Sequence, residues 1–393
     1  MPRKRILIAC AYFDWASNYQ EIGLARALSA VADVHVYAGN RVNPIFTDAH
    51  LERLGVKRTY ETGTSVQEGI TITRFKINDV RSMSVSGAYR KSVSRERFDL
   101  VIQVMPGHIL SALASRPAGD APRAVLYGDN EAMYANLSPF LQSAKRAVFA
   151  LTKGFVYQYC NSGATSAYGY TPQTLERIRP FLAGAPVGLL PLSFDPRTFF
   201  FSETIRRAER ARLGIRNDEI LIMTAGKAYP TKRLDLLVKA FDQLSPDAAK
   251  LKLLIAGVDA APESKPILSA ISESPYRDRI ISLPIQPADA LNSLFNAADL
   301  GCWPLMPAVT IQQSMGTGLP VVIPDNNIVN HLVREEGAGL LYDSVNDQPR
   351  SLAIALKSSL ALVGDTLERR NLAKRNEWLS SNRIADELLQ LAN

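Results

Sequence analysis

Two short stretches in the second half of the chain, 226-GKAYPTKRLDLLVKAF-241 and 309-VTIQQSMGTGLPVVIP-324, carry residues whose types and spacing suit the binding of a phosphate group. In the first, Gly226 closes an apolar run, and Lys227 and Lys232 stand on either side of a short step that ends in a helix start. Two cations beside a helix start can neutralise a diphosphate as charge develops on it. Arg233 is a lesser contributor, with its side chain expected toward solvent. The competing reading is an ordinary strand-to-helix loop with surface lysines. In the second stretch, Thr310 is placed to cap a helix over IQQSMGTG, so that the amides around Val309, Thr310 and Ile311 face the phosphate with the help of the helix field. Gly316 and Gly318 permit a tight exit into LPVVIP. Gln312 and Gln313 diverge on a helix, so only one can reach a ribose or sugar hydroxyl, and Gln313 is the choice.

These residues need strands to deliver them. RILIAC (5–10), VHVYA (34–38), ITITRF (70–75), FDLVIQV (98–104) and APRAVLYGD (121–129) read as strands of the first half, alternating with helical patterns such as 21–30. The alternation restarts at EILIMTAG (219–226) and continues through LKLLIAG, DRIISLP, ADLGCWP, LPVVIP and AGLLY. Strands alternating with helices over this spacing predict mostly parallel sheets covered on both faces, one in each half. The expected domains are 1–200 and 201–370, with 371–393 a terminal helix packing back on the first. Open α/β sheets bind ligands beyond the carboxyl ends of their strands, so an active cleft between two facing domains is expected.

With 393 residues, 47% of them hydrophobic, the chain is too long for one typical core and too apolar for disorder. Cys10, Cys160 and Cys302 lie far apart without CxxC pairing and read as reduced, buried thiols of a cytoplasmic protein. MPRKRILIAC has too short an apolar run for a signal peptide, and no run is long enough to span a membrane. The net charge of +7 comes with no zinc-ligand cluster and no regular basic and aromatic pattern, so phosphorylated substrates or an anionic membrane face explain it better than nucleic acid.

With these motifs in hand, the chain resembles the family 4 glycosyltransferases. The family pattern G-R-L-x-x-x-K-G before L-x-x-A-F is similar to Gly226, Lys227, Ala228, then Lys232 and Arg233 before LVKAF. The pattern E-A-M-A-x-G-x-P-V-V is similar to Gln313 through Val322, NSGATSAYGY (161–170) to the usual helix start of the first domain, and PLSFDPRTF (191–199) to the linker motif. The resemblance implies the GT-B fold, two Rossmann-like domains facing each other across a cleft. It also implies transfer of a sugar from a nucleotide diphospho-sugar to a hydroxyl with retention of configuration, and no metal requirement. UDP-sugars are the default donor over GDP-sugars. Lys227 and Lys232 would act on the leaving diphosphate, and Gly226, Val309, Thr310, Ile311 and Gln313 would hold the donor.

The chain departs from that pattern. Lys227 keeps the charge of the family arginine but not its planar fork. Gln313 replaces a glutamate, and the glutamate that should precede it is missing, so contacts to the donor sugar differ. On the acceptor side the resemblance directs attention to the first domain. Asp14 and Asn18 in the first loop, and Asp129, Asn130 and Glu131 after AVLYG, are the polar candidates, with Asp129 placed to orient a hydroxyl or take its proton. His108 is a further candidate, against a loop histidine that only bonds backbone. Trp15 and Phe13 either stack on the acceptor or simply pack. His331 occupies a segment where relatives approach the donor.

The stretch 133–159 combines aromatics with Lys145, Arg146 and Lys153. Such a segment can lie on an anionic surface, placing the protein at the inner face of the membrane. An ordinary packed helix pair with a solvated basic face competes with it. The acceptor is correspondingly a glycan, a lipid-linked species or a small molecule. Two other readings stay open: a non-catalytic member that binds nucleotide sugars or pairs with a partner, and a nucleotide-sugar 2-epimerase. The oligomeric state is not legible.

Overall fold

A computed structural model describes residues 3–15, 19–80, 83–129, 138–244, 249–259, 262–346 and 348–392. The chain divides into two compact units, residues 1–193 with 381–393, and residues 194–380.

The first unit is built on β1 (Arg5–Ala9), β2 (Asp33–Gly39), β3 (Gly63–Gln67) and β4 (Ile70–Phe75), then a separate ribbon of β5 (Asn78–Val80) and β6 (Met83–Val85). It continues with β7 (Leu100–Val104), β8 (Arg123–Tyr127), β9 (Ser166–Gly169) and β10 (Val187–Leu189). The main sheet runs β10-β9-β8-β7-β1-β2-β4-β3, parallel throughout except for β3, which lies antiparallel on the edge beside β4. β1, β7 and β8 are near-continuous apolar runs and are buried along almost their whole length, as strands covered on both faces must be. The terminal helix Ser381–Leu389 belongs to this unit, placing Ile384, Ala385 and Leu388 in the core with Leu24 and Leu28 of helix Gln20–Ser29. One expectation is corrected here. NSGATSAYGY is not a helix start: its Ser166–Gly169 is a buried strand, and the helix begins only at Pro172, capped by the Thr171 hydroxyl. The end of this strand packs closely on that helix, where a Cβ on Gly169 would press into Leu175.

The second unit holds β11 (Ile220–Ala225), β12 (Leu251–Ala256), β13 (Ile280–Leu283), β14 (Leu300–Cys302), β15 (Val321–Pro324) and β16 (Gly339–Tyr342). They form one parallel sheet in the order β13-β12-β11-β14-β15-β16. Its crossover helix Leu234–Leu244 buries Leu234, Leu237, Val238, Phe241 and Leu244, an i, i+3, i+4 stripe against the sheet. Asp299, at the start of β14, accepts from Arg206, from Arg210 at 2.9 Å and from the Leu221 amide at 2.7 Å, which locks helix Glu203–Leu213 to the sheet.

Both sheets reverse their strand order at one point, between β1 and β7 in the first unit and between β11 and β14 in the second. Beyond the carboxyl ends of such a pair, the following loops diverge and leave a crevice, which is where open α/β sheets take ligands.

Candidate functional site

In the second unit, Gly226 directly follows β11 with φ +134, a conformation that favours glycine. A Cβ there would lie 2.6 Å from Nζ of Lys232 and 3.9 Å from Oγ1 of Thr310, so the ammonium rests directly against the glycine. The Lys232 ammonium is buried although part of its side chain reaches solvent, and burial pulls its pKa down to about 8 with no carboxylate offsetting the effect. Burial, and then the charge of Lys232, pulls Lys227 down to about 7. Two lysines with lowered pKa, Lys227 half-buried, are held in one loop, which favours an anion placed beside them.

The helix from β14 to β15, Val309–Gly316, starts at the same place. Thr310 does not cap it. The N-cap is Ala308, without a side-chain bond, because the Thr310 hydroxyl donates instead to the Ala225 carbonyl at 2.8 Å. Trp303 Nε1 donates to the same carbonyl at 2.9 Å and to Thr310 Oγ1 at 3.1 Å. This three-way bond ties the end of β11 to the helix start. Among the described residues the amides of Val309 and Thr310 find no acceptor, whereas the Ile311 amide bonds Ala308. Gln313 is buried in this helix, as are Gln312 and Ser314. In the sequence Trp303 reads only as the end of an apolar strand.

Arg233 is not directed to solvent alone. Its guanidinium donates to Asp235 at 3.1 and 3.2 Å and to Gln348 at 3.4 Å, and its φ of +51 places a side chain where glycine is the easier residue. His331, beyond β15, has both ring nitrogens buried without a hydrogen-bond partner, and burial pushes its pKa down to about 4.

In the first unit, two of the predicted residues, Asp129 and His108, come together beyond β7 and β8. Asp129 accepts from Lys153 Nζ at 2.8 Å and from the Tyr157 hydroxyl. Burial pushes its carboxyl up, but the Lys153 charge and hydrogen bond, the Tyr157 hydroxyl and Arg177 outweigh burial and hold it below the usual range. Gly107 lies over the group: a Cβ there would come 3.0 Å from the Tyr157 hydroxyl and 3.1 Å from Lys153 Nζ. Next to it, His108 stacks edge-on against Tyr12 at 5.6 Å, its pKa lowered by burial and by Lys153. Met105 and Ile109 on either side have φ of +53 and +62, backbone strain located at the switch point. Lys153 and Tyr157 are four residues apart on helix Lys153–Asn161, and that spacing puts them on one face, a signal the sequence did carry.

Asp14 is buried beside Tyr60 and Arg74, where burial raises its pKa. Trp15 packs on the core against Phe13, with the Arg26 guanidinium 5.1 Å over its ring, and Phe13 is itself core. Both aromatics are therefore engaged in packing. Asn18, Asn130 and Glu131 lie outside the described residues. No cluster of His, Cys, Asp or Glu suited to a metal ion occurs among the described residues.

Comparison with known proteins bears on this geometry. The chain is similar across 99% of its length, and 98% of the other chain, to sucrose-phosphate synthase from Thermosynechococcus elongatus, with a TM-score of 0.70 and 18% identity. It is similar likewise to HepE of Anabaena, solved in complex with UDP-glucose, at a TM-score of 0.66 and 16% identity over 98% of both chains. The fold is GT-B. Residues 205–376 match the family model described as glycosyl transferases group 1, a region that holds the whole Gly226 and Val309 site. That finding corrects the resemblance to family 4: the match is to group 1. YtcC of Bacillus subtilis, named as a glycosyltransferase, is 29% identical over 173 residues, 42% of either chain. The chain thus spans less than half the length of the curated relatives it matches.

Proposed function

We propose that this GT-B protein is a glycosyltransferase that transfers a sugar from a nucleotide diphospho-sugar to a hydroxyl acceptor. The observation that carries the reading is the buried Lys232 ammonium against Gly226, without a carboxylate partner among the described residues, beside the open amides of Val309 and Thr310. That constellation lacks only a multiply charged anion. A departing diphosphate supplies it, and its charge grows as the glycosidic bond breaks, so the site stabilises the transition state more than the ground state. Lys227 and Lys232 are the groups that meet the leaving group. Gln313 and Ile311 line the same helix, with Gln313 offering a neutral amide to a hydroxyl.

On the acceptor side, Asp129 orients a hydroxyl rather than taking its proton, since Lys153 and Tyr157 keep its carboxyl weakly basic. We propose retention of configuration on the same ground. In a same-face displacement the departing diphosphate accepts the hydroxyl proton, and the protein need supply only cations. The UDP-glucose bound by HepE makes UDP-sugars the first donors to try.

The test is thermal unfolding against UDP, GDP, ADP, CMP and dTDP, followed by turnover with the matching sugar donor and NMR of the product anomer. A midpoint raised by one nucleotide supports the site. Turnover to a product of the same anomeric configuration supports the reaction. Binding without turnover on any acceptor would favour a non-catalytic nucleotide-sugar binder, and no shift with any nucleotide would overturn the phosphate assignment.

A further inference from the structure

Helix Pro139–Leu151 is poorly supported by the domain it belongs to. Among its described side chains Phe149 is buried and Gln142 half-buried, while all the others are exposed. Phe149 anchors it to Tyr157 and Phe181. Yet the exposed side is not a polar one. Phe140 is 80% exposed, Val148 59%, Leu151 70% and, on the following helix Lys153–Asn161, Phe155 is 65% exposed. Phe140, Leu141, Val148 and Leu151 lie on the side of their helix away from Phe149, and beyond the break at Thr152 the next helix exposes Phe155 and, one turn on, Tyr159. A short helix with an uncovered apolar stripe is marginal in water, because most helical stability comes from covering that stripe.

The charge pattern says what covers it. From Ser138 to Asn161 the chain contains no aspartate or glutamate, and Lys145 and Arg146 are exposed beside the stripe. Aromatic and aliphatic side chains on a stretch whose own charged residues are all cations match the boundary of a bilayer with anionic head groups. No described helix is long and apolar enough to cross a membrane, so the match is to a surface on which the helices lie. We propose that the face formed by Phe140, Leu141, Val148, Leu151, Phe155 and Tyr159, with Lys145 and Arg146, docks the first domain on an anionic lipid bilayer. Lys153 joins this face to Asp129 through one ion pair, so on the glycosyl-transfer reading the surface would hold the acceptor side close to lipid-borne hydroxyls.

The experiment is sedimentation of the full chain with vesicles of phosphatidylcholine alone and with vesicles also carrying phosphatidylglycerol, at low and high salt. The expected result is binding to the anionic vesicles that weakens with salt. Phe140→Glu with Leu151→Glu should lower that partition about tenfold or more. Lys145→Gln and Arg146→Gln should lower it about fivefold each. All four positions are exposed, so circular dichroism of the variants should match that of the parent. Absence of binding to anionic vesicles would overturn the proposal, as would binding unchanged by the glutamate substitutions. So would a dimer in sedimentation velocity that the glutamates disperse, since a second copy would then be the occupant. The nucleotide shift is measured on the same preparations and reads the second domain, so either reading can fail while the other stands.

Discussion

The ammonium of Lys232 lies against Gly226, so close that a Cβ on the glycine would stand 2.6 Å from Nζ. A strand end and a helix start are thereby joined through a charged group that no carboxylate among the described residues compensates. Binding and stability should respond to that group in opposite ways.

Lys232→Met keeps the volume and removes the buried charge. Nucleoside diphosphate affinity is expected to fall about 10- to 100-fold, the loss of one or two charge-assisted hydrogen bonds. The unfolding free energy in urea should stay level or rise, because a desolvated cation is gone. Gly226→Ala should weaken affinity too, but at a cost of about 1–3 kcal/mol in stability from its φ and the contact with Lys232. Isothermal titration and urea unfolding of the two variants separate these outcomes. A Lys232→Met protein that binds nucleotide normally would refute the site.

Binding should take up protons. Lys227 and Lys232 titrate near 7 and 8 in the free protein, and a diphosphate beside them favours their charged forms. Below pH 7 they are already protonated and uptake is small. Above pH 8 each must gain a proton on binding, so affinity should fall as pH rises, by up to about tenfold per unit for each proton. Titration at pH 8.5 in buffers of different ionisation enthalpy measures the uptake directly. A heat independent of buffer would count against both lysines.

Asp129→Asn strips the partner from Lys153 and should cost about 2–3 kcal/mol of stability at pH 7. The folded carboxyl titrates below its unfolded value. Its contribution is therefore present above about pH 4 and lost as pH falls through the folded value. The variant's unfolding free energy should be flatter than the parent's below pH 4. If Asp129 were instead a free proton acceptor, the substitution would abolish turnover with little change in the urea midpoint.

His331 titrates near 4 when folded, well below its ordinary value, because its nitrogens are buried without partners. The unfolded chain takes up the proton first. The protein should therefore lose stability as pH falls from about 6.5 to 4, by at most about 3 kcal/mol from this residue. His331→Phe should remove that part of the acid sensitivity while leaving stability at pH 8 within about 1 kcal/mol. Thermal midpoints across this range for both proteins provide the check.

Much of the fold is written in short-range pattern. The runs RILIA, LVIQV and RAVLY are apolar on both faces, which only a covered parallel strand can satisfy, and the alternation with amphipathic helices repeats in each half. Strands without that signature are not legible from pattern alone. Gly63–Gln67 is exposed along its length, and Ser166–Gly169 is only four residues long with Tyr168 its one large side chain, so neither shows the apolar run of a covered strand. The family pattern misled at one level, since motifs shared among glycosyltransferases pointed to family 4 while the match over 205–376 is to group 1.

For the candidate site, the sequence determined the inventory: two lysines near a strand end, a helix start, a glycine-bearing exit and an aspartate after a strand. Spacing along the chain is enough to name them, because strand ends and helix starts are local events. Only the tertiary structure decided what each one touches. Thr310 is drawn from its expected capping role by Ala225, which lies 85 residues earlier and bonds Trp303 as well. Arg233 is drawn to Asp235, and Asp129 is neutralised from a helix that begins at Lys153. Hydrogen bonds and burial are set by which segments the sheet order brings together, and that order is a property of the whole domain. The same reason governs the face around Leu151: its apolar residues can be read in the chain, but their exposure follows from the packing of the domain beneath them.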